Sequence, residues 1–493
     1  MTETFDSPES SGKGIPGPYK IVAATSLGIF LSALDASIVN VSLFTMKESL
    51  GVSISAIQWV VVAYLLIMTS TMPLMGKLGD RYGKKKIFQL GMLVFIAGSS
   101  VCAISNGFEM LILGRIFQSL GAAMLSANGL ALVTYFTTPQ NRGRATGLNS
   151  IVLAVALGSG PVLGGILTQL FGWHSIFLIN LPIGIIGYLI VQFAVPKAEL
   201  VKETRFDTIG AALFFSFLFT LIYYVTVSAS ADLITAVILI STSVVSFILF
   251  ILRERAFEAP IVSIEVLTDK KISASIFSAL LAYMAMVPVS FLLPFYLQEA
   301  LGFDQTTTGI FLIVQPLMIS IAGPISGYVS ERVNAKVQTT VGLLVQMVGL
   351  IFLGLVIPNI WLMAIGVAIM GTGLSVFSVA NGNFIMTSAP KKYMGVVSAL
   401  TNLARTTGFS VATALATTIF GIFFLITNPL GLETGSFFVT GYGQAIQLTI
   451  WVFSFFAMFA AIIASQRGMN QAEVDRYENN SEEPEPIDQT HPQ

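Results

Sequence analysis

Asp35 stands deep inside the first long apolar run of this chain, in the stretch LDASIVNVSL. A carboxylate removed from water is costly there. It marks a functional site by default, and proton exchange is the chemistry it offers. A structural acid satisfied by neighbouring hydroxyls is the other reading of the same residue. Arg115 lies equally deep in a later run, in LGRIFQSLGAAM with Gln118 and Gly121. An arginine so placed must face the interior of a helix bundle and find an acceptor. A second deep arginine, Arg405, stands in NLARTTGFSVATA beside Asn402, Gly408 and Ser410. It either braces helix-end carbonyls or meets a ligand, and both roles stay open. Other chemistry is scarce. With one cysteine, Cys102, and two histidines, His174 and His491, no disulfide framework and no thiolate or histidine metal site is expected. No cofactor is expected either. An integral-membrane enzyme would need a His, Asp or Glu cluster near a membrane face, and the sequence offers none, so it is read as a non-enzyme.

Two glycine-rich stretches bear on movement. ALGSGPVLGG supplies Gly158, Gly160, Pro161, Gly164 and Gly165. Small residues let helices approach at backbone distance, and a proline bends the helix that carries it. GKLGDRYGKKK, from Gly76 to Lys86, holds Lys77, Arg81, Lys84, Lys85 and Lys86 with the acid Asp80, and Gly76, Gly79 and Gly83 as turning points. It reads as a short basic loop on the cytoplasmic side, between apolar runs Ile57 to Met75 and Ile87 to Ile104. Asp80 there suits a helix N-terminus or a nearby arginine.

The elements that must position these residues are membrane spans. The chain is 54% hydrophobic and only 10% charged, with a mean hydropathy of +0.81. Globular proteins carry roughly 25% charged residues, so lipid is the solvent for most of this chain. The fold class is an all-α polytopic membrane protein with fourteen spans, at about 20–46, 55–75, 87–106, 109–136, 144–170, 174–195, 207–229, 232–252, 272–300, 305–330, 336–357, 360–386, 394–426 and 442–466. Of 25 Lys and Arg residues, Lys47 alone falls in an outward loop, and Arg115 and Arg405 fall within spans. The rest lie on one side, which puts both termini in the cytoplasm. Residues 1–19 form a polar tail and 467–493 an acidic one. GYVSERVNAK, from Gly327 to Lys336, echoes the Gly76 loop one half-chain later. The domains are therefore a six-helix half at 20–195, two inserted helices at 206–252, and a second six-helix half at 272–466.

Several motifs resemble those of a known family. G-x-L-x-D-R-x-G-K-K-K is similar to the loop between helices two and three of the major facilitator superfamily. L-D-x-S-I-V-N-V around Asp35 resembles the first helix of its fourteen-span drug:proton antiporters. R-x-x-Q-x-x-G at Arg115 resembles the fourth-helix motif linked to proton coupling. G-P-x-x-G-G resembles the antiporter motif, more typical of exporters than importers, and N-x-x-R-x-x-G-x-S at Arg405 also matches. The pattern departs at His174 and Ser175, where the family shows W-R-W-I-F, and at Ala412, where a glycine is frequent. The resemblance implies a multidrug-efflux antiporter of the cell membrane, working as a monomer in the lipid bilayer by alternating access. Its partners are a small-molecule substrate and protons, not nucleic acid. Asp35 would exchange the proton and Arg115 tune it. Gly76, Asp80, Arg81, Gly83 and Lys84 would form a conformational latch, with Asp80 and Arg81 engaging neighbouring helix ends. A substrate cavity between the halves would draw on Trp59, Tyr64, Met68, Tyr283, Met286, Gln315, Asn381, Asn383 and Arg405, each of which also suits plain packing. A dedicated exporter of a lipid, siderophore or metabolite is the alternative.

Overall fold

A computed structural model describes residues 18–136, 139–196, 207–227, 231–257, 268–330, 332–388, 394–429, 431 and 434–467. The two tails, apart from 18, 19 and 467, lie outside the described residues. The long helices are α1 (Pro18–Leu50), α2 (Ile54–Tyr82), α3 (Lys84–Ala103), α4 (Phe108–Phe136), α5 (Pro139–Phe171), α6 (Ser175–Ala194), α7 (Thr208–Val227), α8 (Leu233–Ala256), α9 (Lys270–Ala300), α10 (Gln305–Ser330), α11 (Ala335–Val356), α12 (Ile360–Ser388), α13 (Met394–Thr427) and α14 (Gly435–Gln466). Among the described residues thirteen are long and apolar enough to cross a membrane. In α5 the first turns, PQNRGRATGLNS, are polar, and an apolar stretch follows from Ile151 to Phe171. The chain is thus a multi-pass helical membrane protein with no strand among the described residues.

Side-chain caps set several helix starts. Asp269 accepts from the Lys271 and Ile272 backbone N–H groups at the head of α9, and Asp304 accepts from Thr307 N at the head of α10. Each satisfies donors that the first turn leaves unpaired. The basic stretch after Met75 is more helical than its composition suggests. α2 runs to Tyr82 and α3 starts at Lys84, so the loop shrinks to Gly83 alone. Gly83 turns the chain at φ +99, a conformation that residues with a Cβ adopt only with strain.

Packing shows the repeat more fully than the sequence does. The neighbours α1–α5, α1–α6, α2–α4, α3–α4 and α3–α6 recur as α9–α13, α9–α14, α10–α12, α11–α12 and α11–α14. The same glycine device closes the tightest pair in each set. A Cβ on Gly121 would stand 2.6 Å from the Gly91 carbonyl, and one on Gly373 2.6 Å from the Gly342 carbonyl. Backbone therefore meets backbone between α3 and α4 and between α11 and α12. The two sets touch along α2–α13 and along α5–α10, a pair of seams related by the same repeat. α7 lies along the first seam, against both α2 and α13. There Ile222 packs with Val62 and Leu66, and Thr418 donates to the Val225 carbonyl at 3.2 Å. α8 packs on α7 and leaves most of its apolar surface outward.

Candidate functional site

Asp35 is fully buried at the middle of the first helix set, where α1, α4 and α6 converge. Arg115 Nη1 donates to its Oδ2 at 2.6 Å. Its Oδ1 accepts from Gln118 Nε2 at 2.7 Å and from Asn180 Nδ2 at 2.9 Å. All three donors suit the ionised, acceptor-only form of the carboxylate. Arg115 is itself held from other directions. Its Nε donates to the Val60 carbonyl at 2.9 Å, and Nη1 also donates to Gln118 Oε1 at 2.7 Å. The Tyr64 ring stacks on the guanidinium at 4.1 Å. Ser99 Oγ accepts from Gln118 at 2.8 Å and closes the network on the α3 side. Helical spacing explains the grouping: Arg115 and Gln118 are three apart on α4, so they share a face.

Asp35 and Arg115, predicted from separate runs, thus meet directly. Tyr64, predicted for the substrate cavity, belongs to this network instead of an open lining. Asn180 and Ser99 were not foreseen. Each is a polar residue in an apolar run, which was the available signal, but nothing in the spacing pairs α3 or α6 with α1.

Gly160 and Gly164 of α5 press on α1, and a Cβ on Gly164 would lie 2.6 Å from the Ile38 carbonyl. Gly158 and Gly165 face the other way. A Cβ on Gly158 would lie 3.5 Å from Pro316, and one on Gly165 3.0 Å from Thr306 Cα of α10. Pro161 backs onto Gly309, again on α10. The glycine-rich stretch therefore turns one face to α1 and the other to the opposite helix set.

In the Gly76–Lys86 stretch Asp80 pairs with Lys84, one turn on. Arg81 is exposed and stacks over Tyr82 at 5.4 Å. Gly76 lies 3.8 Å from Ala127 of α4, measured from an ideal Cβ. It is Lys85 that engages a neighbouring helix end, donating to the Gln192 carbonyl at 2.8 Å and to that of Val195. A cation at the C-terminal end of α6 suits the helix dipole.

The two helix sets are pinned together at the end opposite Gly83. Lys47 Nζ lies 2.6 Å from Glu299 Oε1, with both side chains mostly buried. Gln298 donates to the Val41 carbonyl at 2.9 Å, Gln305 to Thr45 at 3.0 Å, and Gln169 accepts from Thr306 N at 3.3 Å. Glu299 lies in the second of two π-helical turns, Pro288–Leu292 and Tyr296–Ala300, a distortion frequent at functional sites.

The remaining cavity candidates divide. Tyr283 and Arg405 are partly exposed on α9 and α13. Met68 is buried with Met72 and Met75 on α2. Gln315 and Met286 meet each other, with amide nitrogen and sulfur 3.9 Å apart. Trp59 lies 5.6 Å from Tyr223 at the α7 seam. Asn381 is taken up in packing, donating to the Ser275 carbonyl and accepting from Arg467, and Asn383 is exposed. A cavity of about 360 Å³ runs along α9, lined by Ser273, Ile276, Phe277 and Leu280. His174 Nε2 donates to the Ser105 carbonyl, 3.0 Å away, and the ring stacks on Trp173.

Known proteins share this architecture. The chain is 33% identical to the riboflavin transporter RibZ of Clostridioides difficile, over 80% of its own length and 86% of that protein. It is 31% identical to the methylenomycin A resistance protein of Bacillus subtilis, over 80% and 86%. It is 28% identical to the tetracenomycin C resistance and export protein of Streptomyces glaucescens, over 84% and 79%. In fold it is similar to a bacterial homologue of the human lysosomal transporter Spinster, crystallised inward-facing and unoccupied. There the TM-score is 0.68 at 15% identity, covering 92% of this chain and 97% of that one. The Major Facilitator Superfamily profile matches residues 25–413. A polytopic bundle with repeated helix neighbours, a buried carboxylate–guanidinium pair within its first helix set and this match have one reading: the chain is a transporter of the Major Facilitator Superfamily.

Proposed function

We propose that this transporter is a proton-coupled antiporter of the multidrug-efflux type, exporting lipophilic small molecules by alternating access. The observation that carries the reading is the Asp35 network, an acid wholly out of water with a full set of donors and a single counter-charge. Such a group binds a proton when its donors withdraw and loses it when they return. Arg115 is the donor best placed to signal that change, because it also reaches α2 through Val60 and Tyr64. The halves 20–195 and 272–466 move against each other, with 206–252 as an inserted pair. The Gly158–Gly165 face gives them a smooth seam. Asp80 with Lys84, around Gly76, Arg81 and Gly83, forms a latch remade during the cycle. The basic loops support cytoplasmic termini, and the protein acts as a monomer in the cell membrane. Relatives named for resistance and export support the outward direction.

A second reading, a dedicated exporter of one metabolite, is favoured by the similarity to a riboflavin transporter. The test is transport in proteoliposomes with an imposed pH gradient, screened over lipophilic cations, neutral drugs and riboflavin. Uphill movement of several unrelated compounds is expected. Movement of riboflavin alone selects the second reading, and movement that ignores the gradient removes proton coupling.

A further inference from the structure

Arg405 narrows the cargo. Arg115 and Arg405 both stand in the middle of a helix, the first buried and the second partly exposed, and they differ in their partners. Arg115 is neutralised by Asp35. Arg405 donates through Nη2 to Asn402 Oδ1 at 2.7 Å, within its own helix. Among the described residues it has neither an acidic partner nor a carbonyl of a neighbouring helix, so the bracing role is not the one it fills here. A guanidinium carries five donors in a planar fork, and Asn402 takes up only one edge. Asn402 is in turn oriented by Met72, whose sulfur lies 3.6 Å from its Nδ2. The guanidinium is thus held at one edge by its own helix, and the side chain is partly exposed.

Its surroundings are aromatic and soft. Phe409, one turn further along α13, packs on the Tyr283 ring with centroids 5.8 Å apart. Tyr283 reaches Ser378 of α12 at 3.3 Å through its hydroxyl. Met72 of α2, which touches Asn402, brings a soft side chain to the same place. On the α9 side Leu280 backs directly onto α13, its carbonyl 2.7 Å from where a Cβ on Gly408 would stand. Asn402, Arg405 and Phe409 share one face of α13, so the cation and the Tyr283–Phe409 ring pair are neighbours.

We propose that Arg405 is the recognition point for cargo, and that the preferred cargo is a planar aromatic molecule bearing a carboxylate or similar anionic edge. The ring system lies against Tyr283, Phe409 and Met72. The anionic edge takes the free side of the guanidinium in a forked pair, the strongest polar contact available there. This rests on the transporter reading above but not on proton coupling.

The test is equilibrium binding to the purified full-length protein, using anthraquinone-2-carboxylate, its primary amide, and ethidium as a planar cation. The carboxylate is expected to bind about tenfold more tightly than the amide, with ethidium weakest. Arg405→Met should bring carboxylate and amide to within about twofold of each other, while leaving amide binding in place. Tyr283→Leu should weaken both alike and keep their ratio, which covers the case of an Arg405 variant that does not fold. Asp35→Asn should keep the ratio too. A parent that binds neither anthraquinone, that prefers ethidium, or whose carboxylate preference survives Arg405→Met overturns the assignment. Loss of proton-driven transport in Asp35→Asn with the ratio intact leaves it standing and speaks only to coupling.

Discussion

Asp35 illustrates how one buried acid is kept in place at a tolerable cost. An isolated charge in an apolar interior is disfavoured by several kcal/mol, and an ion pair recovers that cost only when hydrogen bonds satisfy its remaining lone pairs. Here Arg115, Gln118 and Asn180 do so. Asp35→Asn keeps the shape and one acceptor while removing the exchangeable charge. Arg115 would still hold the Val60 carbonyl, Gln118 Oε1 and the Tyr64 ring. The variant is therefore expected to insert and fold, and to bind substrate. It should fail to concentrate substrate against its gradient in proteoliposomes with an imposed pH difference, and substrate-induced proton release in detergent should vanish. Uphill export at the parent's rate would make Asp35 structural. At this scale the sequence was informative in a particular way. An acid or arginine inside an apolar run announces itself, so Asp35 and Arg115 were legible. Asn180 and Ser99 were not, because amides and hydroxyls are common in membrane helices and only the tertiary packing selects these two.

Among elements, the helix pairs α3–α4 and α11–α12 make the tightest contacts, and glycine alone permits them. A Cβ on Gly121 would also lie 2.8 Å from Phe95 Cα, whereas Gly382 and Gly421, likewise helical, have no other atom within 4 Å of such a Cβ. Gly121→Ala should push two backbones apart and lower the thermal midpoint, at a cost of about 1–3 kcal/mol for overpacking. Gly382→Ala should leave the midpoint unchanged or raise it, since alanine favours the helix by roughly 0.5–1 kcal/mol. Equal responses at both positions would show that the close approach is not what holds α3 to α4. The spans themselves were readable from apolar length, and the basic loops set their alternation. What hydropathy could not show was the straight run of α2 to Tyr82. Lysine and arginine stems stay helical while their heads reach water, so the loop ends at Gly83. Pairing of Gly91 with Gly121 was equally hidden, since spacing along one helix does not name its partner.

For the whole molecule the decisive contacts are those that pin the two helix sets at the end opposite Gly83, because the proposed alternating-access cycle requires them to part. Asp304 contributes there through Gln169, at 3.4 Å. The Thr307 side chain and backbone N–H hold its carboxyl below the ordinary value. A depressed carboxylate keeps its contribution until pH falls through that lowered value, so mild acid should not open this end through Asp304. The Lys47–Glu299 pair is the better lever, since it is mostly buried and joins α1 directly to α9. Lys47→Glu would set like charges together, Glu299 across the seam and Glu48 beside it. Like-charge juxtaposition across an interface costs several kcal/mol, and each 1.4 kcal/mol moves a two-state population about tenfold. The variant should therefore populate a form open at that end. A cysteine placed at Thr45, in a Cys102→Ser background, should then react faster with a membrane-impermeant maleimide added on that side. The charge-swapped double variant, Lys47→Glu with Glu299→Lys, restores opposite signs and should return labelling toward the parent rate. Recovery in the double variant separates the pair's own energy from the effect of either change alone. Unchanged labelling in Lys47→Glu, or no recovery in the swap, would mean that the amide and glycine contacts of α5, α9 and α10 hold this end closed without the ion pair.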